Sequence, residues 1–149
     1  MRLLDLSAQA PCIHPTEQDK DGNPVEGATV FYARCLTGSE QGAINDALLD
    51  FGNMGVKTEG ENAKFDMNMA ISPSTRKLNR VRLGICNWDN LHDADGKLIE
   101  FTQETIRLGN REFQAIPMAV VDALPRDILD WLAEEVAKAS TVSAQEGNV

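Results

Sequence analysis

The chain has 149 residues, 42% hydrophobic and 25% charged, a balance that fits one aliphatic-cored domain, alone or with a small satellite, and excludes a stapled miniprotein or a disordered chain. Its 23 Asp and Glu against 14 Lys and Arg leave a formal charge of -9, which argues against broad binding to nucleic acid, because phosphate affinity needs clustered cations. Three widely spaced cysteines, Cys12, Cys35 and Cys86, point to free thiols in a reducing compartment, and no apolar run suits a signal peptide or a membrane span, so a cytoplasmic protein is expected.

Residues 8–27 are crowded with turn formers, including Pro11, Pro15, Pro24 and Gly27, and predict an irregular arm over 1–27. Residues 28–36 are β-branched and aromatic with loose alternation, which suits a half-buried strand, its hairpin partner lying near Leu3 to Leu6 or at Ile13. Thr37 and Glu40 then form a capping box. The helix it opens carries Ile44, Ala47, Leu48 and Phe51 on one stripe, and Gly52 is placed to end it. A loop follows to Gly60, and the alternation of Phe65, Met67, Met69 and Ile71 predicts a short strand or extended segment.

Ser72 and Pro73 supply the next helix start. Beyond them Leu78, Val81, Ile85 and Trp88 recur at helical spacing, while Val81, Leu83 and Ile85 also alternate as in a strand; length and the cap favour helix. Gly84 within it costs roughly 1 kcal/mol against alanine, so close backbone approach is expected there. Trp88, one of two tryptophans, stands where this apolar segment meets an acidic turn and is expected to anchor that loop to the core. Thr102 to Thr105 resembles a further helix start leading to Ile106 and Leu108 before Gly109, and another helix begins near Pro117. The last helix is the clearest: Pro125 stands in its first turn, Asp127 favours the N-terminal dipole, and Ile128, Leu129, Leu132 and Val136 form the inward stripe. The resulting fold class is α+β and mainly helical, a short N-terminal β element followed by four or so packed helices, with a single globular domain over 28–139 and a flexible tail over 140–149.

Catalytic chemistry is not visible. Two Asp-x-Asp-Gly segments, at Asp19 and Asp93, invite a calcium reading. With Gly96 or Gly22 at the sixth loop position, however, the twelfth falls on Thr102 or Ala28, so both lack the bidentate glutamate and read as tight turns. Cys12 and His14 would be half of a zinc site, but neither the other cysteines nor His92 supply a second pair at the required spacing. Neither a phosphate-binding glycine loop nor a nucleophile elbow is present, so no enzyme, cofactor or metal is expected. What stands out is a basic cluster, Arg76, Lys77, Arg80 and Arg82. On a helix it makes a face opposite the Leu78 and Val81 stripe, either paired with the protein's own carboxylates or free to dock an acidic partner.

The order of signals from residue 75 to 136 resembles the tail assembly chaperones of tailed bacteriophages. The resembling residues are the run from Asn79 through Gly84 and Trp88 to Leu91, the acidic turn Asp93 to Lys97, the Ile99 to Thr105 element with Phe101, and Leu124-Pro125 before the last helix; the opening at 31–40 is similar too. The resemblance implies a mainly helical, non-enzymatic assembly factor in the host cytoplasm. Such a factor binds the tape measure protein and the tail tube protein until the tube polymerises, and binds no nucleic acid or membrane. A structural virion protein of the tail or neck is the alternative. A chaperone for a long helical client covers apolar stripes reversibly, and the candidates for that contact are Trp131, which lies off the Ile128, Leu132 and Val136 stripe, and the adaptable Met67, Met69 and Met118, each of them core otherwise.

Overall fold

The computed structural model describes residues 3, 6–44 and 73–147. The expected helix over Ala47, Leu48 and Phe51, the loop after Gly52, the segment with Met67 and Met69, and the Ser72 cap lie outside these residues.

The turn-rich arm carries a strand, β1 (Gln9–Cys12), which pairs antiparallel with β2 (Val30–Arg34) in the register Cys12 to Phe31. In β2 the alternation expected of a half-buried strand holds, with Phe31 and Ala33 buried and their neighbours half-exposed. Pro11, which has no N–H to give, sits in the outer strand opposite Tyr32. After β2 the chain enters helix α1, residues 38–44.

The capping box that starts α1 is formed as read. Thr37 Oγ1 accepts from the Glu40 N–H at 3.0 Å, and Glu40 Oε1 accepts from the Thr37 N–H at 3.0 Å. Arg34 reaches the same carboxylate, Nη1 donating to Oε1 at 2.8 Å and Nη2 pairing with Oε2. Burial pushes the Glu40 carboxyl up, but the hydrogen bonds from Arg34 and Thr37 outweigh it and hold the group below its ordinary value.

Helix α2 (Pro73–Gly84) is shorter than its apolar spacing predicts. Strand β3 (Ile85–Asp89) follows with no loop between them and pairs antiparallel with β2, Phe31 opposite Trp88. Chain order then gives β4 (Glu104–Leu108) and β5 (Arg111–Ala115), a separate antiparallel hairpin, and the helices α3 (Met118–Ala123) and α4 (Arg126–Gly147). The largest fully buried side chains are Val81 and Leu83 of α2, Ile85 of β3, Ile116, and Leu132 and Val136 of α4. Burying a side chain of this kind is worth about 1.5–3 kcal/mol relative to leaving it exposed. Gly84 lets α2 and α4 meet. A Cβ at that position would lie 2.3 Å from Val136 Cγ1 and 2.7 Å from Cγ2.

The mainly helical expectation is overturned. The described residues hold five strands in two antiparallel sheets, so the class is α+β without helical dominance. Two misreadings account for it. Ile85 and Trp88 continue the helical spacing of α2, yet they lie on β3, because pairing with β2 takes over where Gly84 meets Val136. Thr102 to Thr105 starts no helix. Its residues lead into β4, and Gly109 with φ 61 followed by Asn110 makes the two-residue turn to β5, a conformation that suits glycine in the first turn position. The helix near Pro117 and the start of α4 agree with the sequence reading, and α4 continues to Gly147. Among the described residues no helix is long and apolar enough to cross a membrane.

Gly84→Ala is expected to destabilise the protein by about 1–3 kcal/mol in urea denaturation despite its better helix propensity, and adding Val136→Ala recovers part of that loss. Because the folded Glu40 carboxyl titrates below its unfolded value, its pairing contributes in full above the ordinary glutamate range and is lost as the pH falls through the lowered value. Stability measured against pH should therefore fall less steeply on the acid side in Glu40→Gln, while Thr37→Ala costs about 1 kcal/mol at neutral pH.

Candidate functional site

The four cations at 76–82 do not share one face. Arg76 and Lys77 are exposed, Arg80 is half-buried, and Arg82 is 7% exposed between the buried Val81 and Leu83. Arg82 Nε donates to the Ile116 carbonyl at 3.0 Å, the Ile116 N–H donates back to the Arg82 carbonyl at 3.0 Å, and Nη2 pairs with Glu104. Glu104 Oε1 also accepts from the Met118 N–H at 3.1 Å, which ties β4 to the start of α3. Arg82 is thus a clamp among α2, the segment after β5 and β4. Lys77 Nζ lies 3.4 Å from Asp130 of α4, a surface pair worth roughly 0–1 kcal/mol. Arg76 and Arg80 are what is left of the basic face.

Trp131 has a different setting. It is half-buried, with its ring edge-on to Phe31 at 6.4 Å and to His14 at 5.0 Å. His14 is held in place by its own turn, where Nδ1 lies 2.8 Å from Thr16 Oγ1 and accepts from the Thr16 N–H at 3.3 Å. Trp131 and Ile128 of α4, with Leu124 just before it, line an open groove of about 270 Å³ together with Phe31, His14, Glu17 and Leu91. Ile128 and Trp131 fall at i and i+3 on α4, beside the stripe that enters the core, and Leu124 joins them from the extended end of α3. His14 and Leu91 join them only through the fold. Of the methionines, Met118 is described and is 36% exposed at the start of α3.

Trp88 anchors the acidic loop as its position suggests. It is 4% exposed, its Nε1 donates to the Ile99 carbonyl at 2.8 Å, and its ring meets Phe101 edge-on at 4.8 Å and Phe31 at 6.5 Å. The two Asp-Gly segments are tight turns. Asp19 Oδ1 accepts from the N–H groups of Asp21 and Asn23, and Asp93 Oδ1 from those of Asp95 and Lys97, all at 2.9 Å. Gly22 and Gly96 take φ of 80 and 81, which favours glycine.

Cys12 and Cys35 are buried and Cys86 half-buried, all free. Burial first, and the Glu135 carboxylate second, push the Cys12 thiol up to about 11, and burial raises Cys86 as well. Neither is an activated thiolate. Among the described residues no group of three His, Cys, Asp or Glu side chains is arranged to hold a metal ion.

Arg82→Ala is expected to lower stability by about 1–3 kcal/mol, since it removes charged hydrogen bonds and leaves the Ile116 carbonyl and Glu104 without their partner. Arg76→Ala should stay within about 0.5 kcal/mol of the parent. Equal effects of the two in urea denaturation would contradict this division of roles. The chain matches no protein-family model, no curated protein and no solved structure.

Proposed function

We propose that the protein is a tail assembly chaperone of a tailed bacteriophage. It acts in the host cytoplasm, where it binds the tape measure protein and tail tube subunits and keeps them from aggregating until the tube polymerises. The observation that supports this reading is the physical linkage of the residues that carry the resemblance. Gly84 sets the approach of α2 to Val136, Trp88 follows on β3, its indole N–H donates to the Ile99 carbonyl, and Phe101 meets the same indole edge-on. Asp93 to Gly96 is the turn between the two anchored ends, since the Ile99 N–H donates to the Leu91 carbonyl at 2.7 Å. Residues that lie as separate short signals along the chain are therefore one packed unit.

The surfaces suit binding rather than turnover. Trp131 presents part of an indole in an open apolar groove, the kind of anchor that recurs at protein interfaces. Burial raises the Cys12 and Cys86 thiols above their ordinary value, and the buried Arg82 is spent on the fold.

Co-expression with the tape measure protein and the tube subunit of the same phage tests the reading. The client is expected to move from the insoluble to the soluble fraction and to copurify with this chain, while purified mature particles contain none of it. Stoichiometric amounts of the chain in mature particles, or a client whose solubility does not change, would overturn it.

A further inference from the structure

The two Asp-Gly turns are one nine-residue hairpin built twice. In the first, the Val25 N–H donates to the Glu17 carbonyl at 2.9 Å, the Asp19 N–H to the Asn23 carbonyl at 2.7 Å and the Gly22 N–H to the Asp19 carbonyl at 3.1 Å. In the second, the equivalent bonds are Ile99 to Leu91 at 2.7 Å, Asp93 to Lys97 at 2.9 Å and Gly96 to Asp93 at 3.0 Å. One hairpin precedes β2 and the other follows β3. Those strands are antiparallel, so both hairpins leave the same end of the sheet. Thr29 Oγ1 donating to the Asn90 carbonyl at 2.8 Å, and Asn90 Nδ2 donating to the Ala28 carbonyl at 3.3 Å, tie them together there.

The groove against Trp131 opens between them. Glu17 and Leu91, the first residues of the two hairpins, are both in its wall. Residues 17–26 carry the carboxylates Glu17, Asp19, Asp21 and Glu26 against Lys20 alone, and residues 89–100 carry Asp89, Asp93, Asp95 and Glu100 against Lys97 alone. The start of α4 adds Arg126 and Asp127, which cancel. The slot thus lies between two hairpins rich in carboxylates, nearly all of them exposed, with Glu17 in its wall and Asp89 turned instead to the Tyr32 hydroxyl. At about 270 Å³ the slot lies below the roughly 300–1,000 Å³ usual for small-molecule clefts and has the scale of a seat for one anchoring side chain of a larger partner.

We infer that this groove docks a basic amphipathic helix, which seats an apolar side chain against Trp131 while lysines or arginines on its flanks face the two acidic hairpins. The inference rests on the chaperone reading and names the chemistry of the client segment that would be held. Charge complementarity selects this occupant. A second copy of the chain would bring the same carboxylates and a net charge of -9 to the same place. An acidic peptide would be repelled, and a neutral apolar helix would leave the hairpins without a role.

The test uses the full-length protein with three synthetic peptides: an amphipathic leucine–lysine helix, the same lysine pattern with serine replacing leucine, and the same leucine face with glutamate replacing lysine. The leucine–lysine peptide is expected to bind with an affinity that falls as salt rises, and both control peptides should bind at least about tenfold more weakly. Trp131→Ala should weaken binding of the leucine–lysine peptide by about tenfold or more. The second variant, Asp21→Lys with Asp95→Lys, reverses two exposed carboxylates that accept none of the turn hydrogen bonds, so it keeps the fold and should weaken binding by a comparable factor. Undiminished binding to both variants, equal binding of the glutamate peptide, or a dimer in ultracentrifugation that Trp131→Ala dissolves would each overturn the inference. The two readings fail separately. If the parent and both variants solubilise the tape measure protein equally, the groove assignment falls and the chaperone reading stands. If the peptide binds as expected while the parent leaves the tape measure protein insoluble, the chaperone reading falls and the groove stands.

Discussion

Gly84 and Val136 approach more closely than any side chain at position 84 would allow, and much of the remaining architecture follows from that contact. The end of α2 is pressed onto α4, so the chain has no room for another helical turn and passes directly into β3. Ile85 and Trp88 then enter the sheet beside Phe31 rather than prolonging a helix. Once Trp88 is fixed, its indole N–H fixes Ile99, and the acidic hairpin between them has a set position relative to the sheet. A single missing methyl group thereby governs where a loop some ten residues later is displayed.

The distribution of cations shows how an acidic chain spends a scarce resource. Arg34 secures the cap of α1, and Arg82 joins three elements that lack a common hydrogen-bonded sheet. A buried guanidinium with satisfied partners specifies one arrangement of the backbone around it, since any shift leaves a charge unpaired. The apparent basic patch in the sequence is therefore partly structural, Arg82 holding the fold and Lys77 pairing with Asp130.

Features whose chemistry is local were legible from the residues. Thr37 with Glu40, Pro125 before α4, and the two Asp-Gly turns each need only neighbours within a few positions. Trp88 could be read as an anchor because an isolated tryptophan at the end of an apolar run has few other uses. The strands were harder, since Val81 and Ile85 satisfy both periods and the choice was made by β2, some fifty residues earlier. One strand signal was present in the chain and outweighed by another. Gly109-Asn110 between Leu108 and Arg111, with Ile106 and Phe113 facing each other across it, is a hairpin pattern, whereas Thr102 to Thr105 imitates a helix start. The groove was legible only in part, because Ile128 and Trp131 are three apart on α4, but Leu124 precedes that helix and His14 and Leu91 reach the groove from distant segments.

The outer strands of the three-stranded sheet, β1 and β3, have one more property. Pro11 gives β1 no donor at its centre, and on the opposite side the Trp88 N–H of β3 is occupied by the Asn87 side chain, its Oδ1 accepting at 2.9 Å. An incoming strand would find an incomplete ladder at either margin. Among the described residues, a proline on one margin and an asparagine side chain on the other thus blunt the sheet against extension.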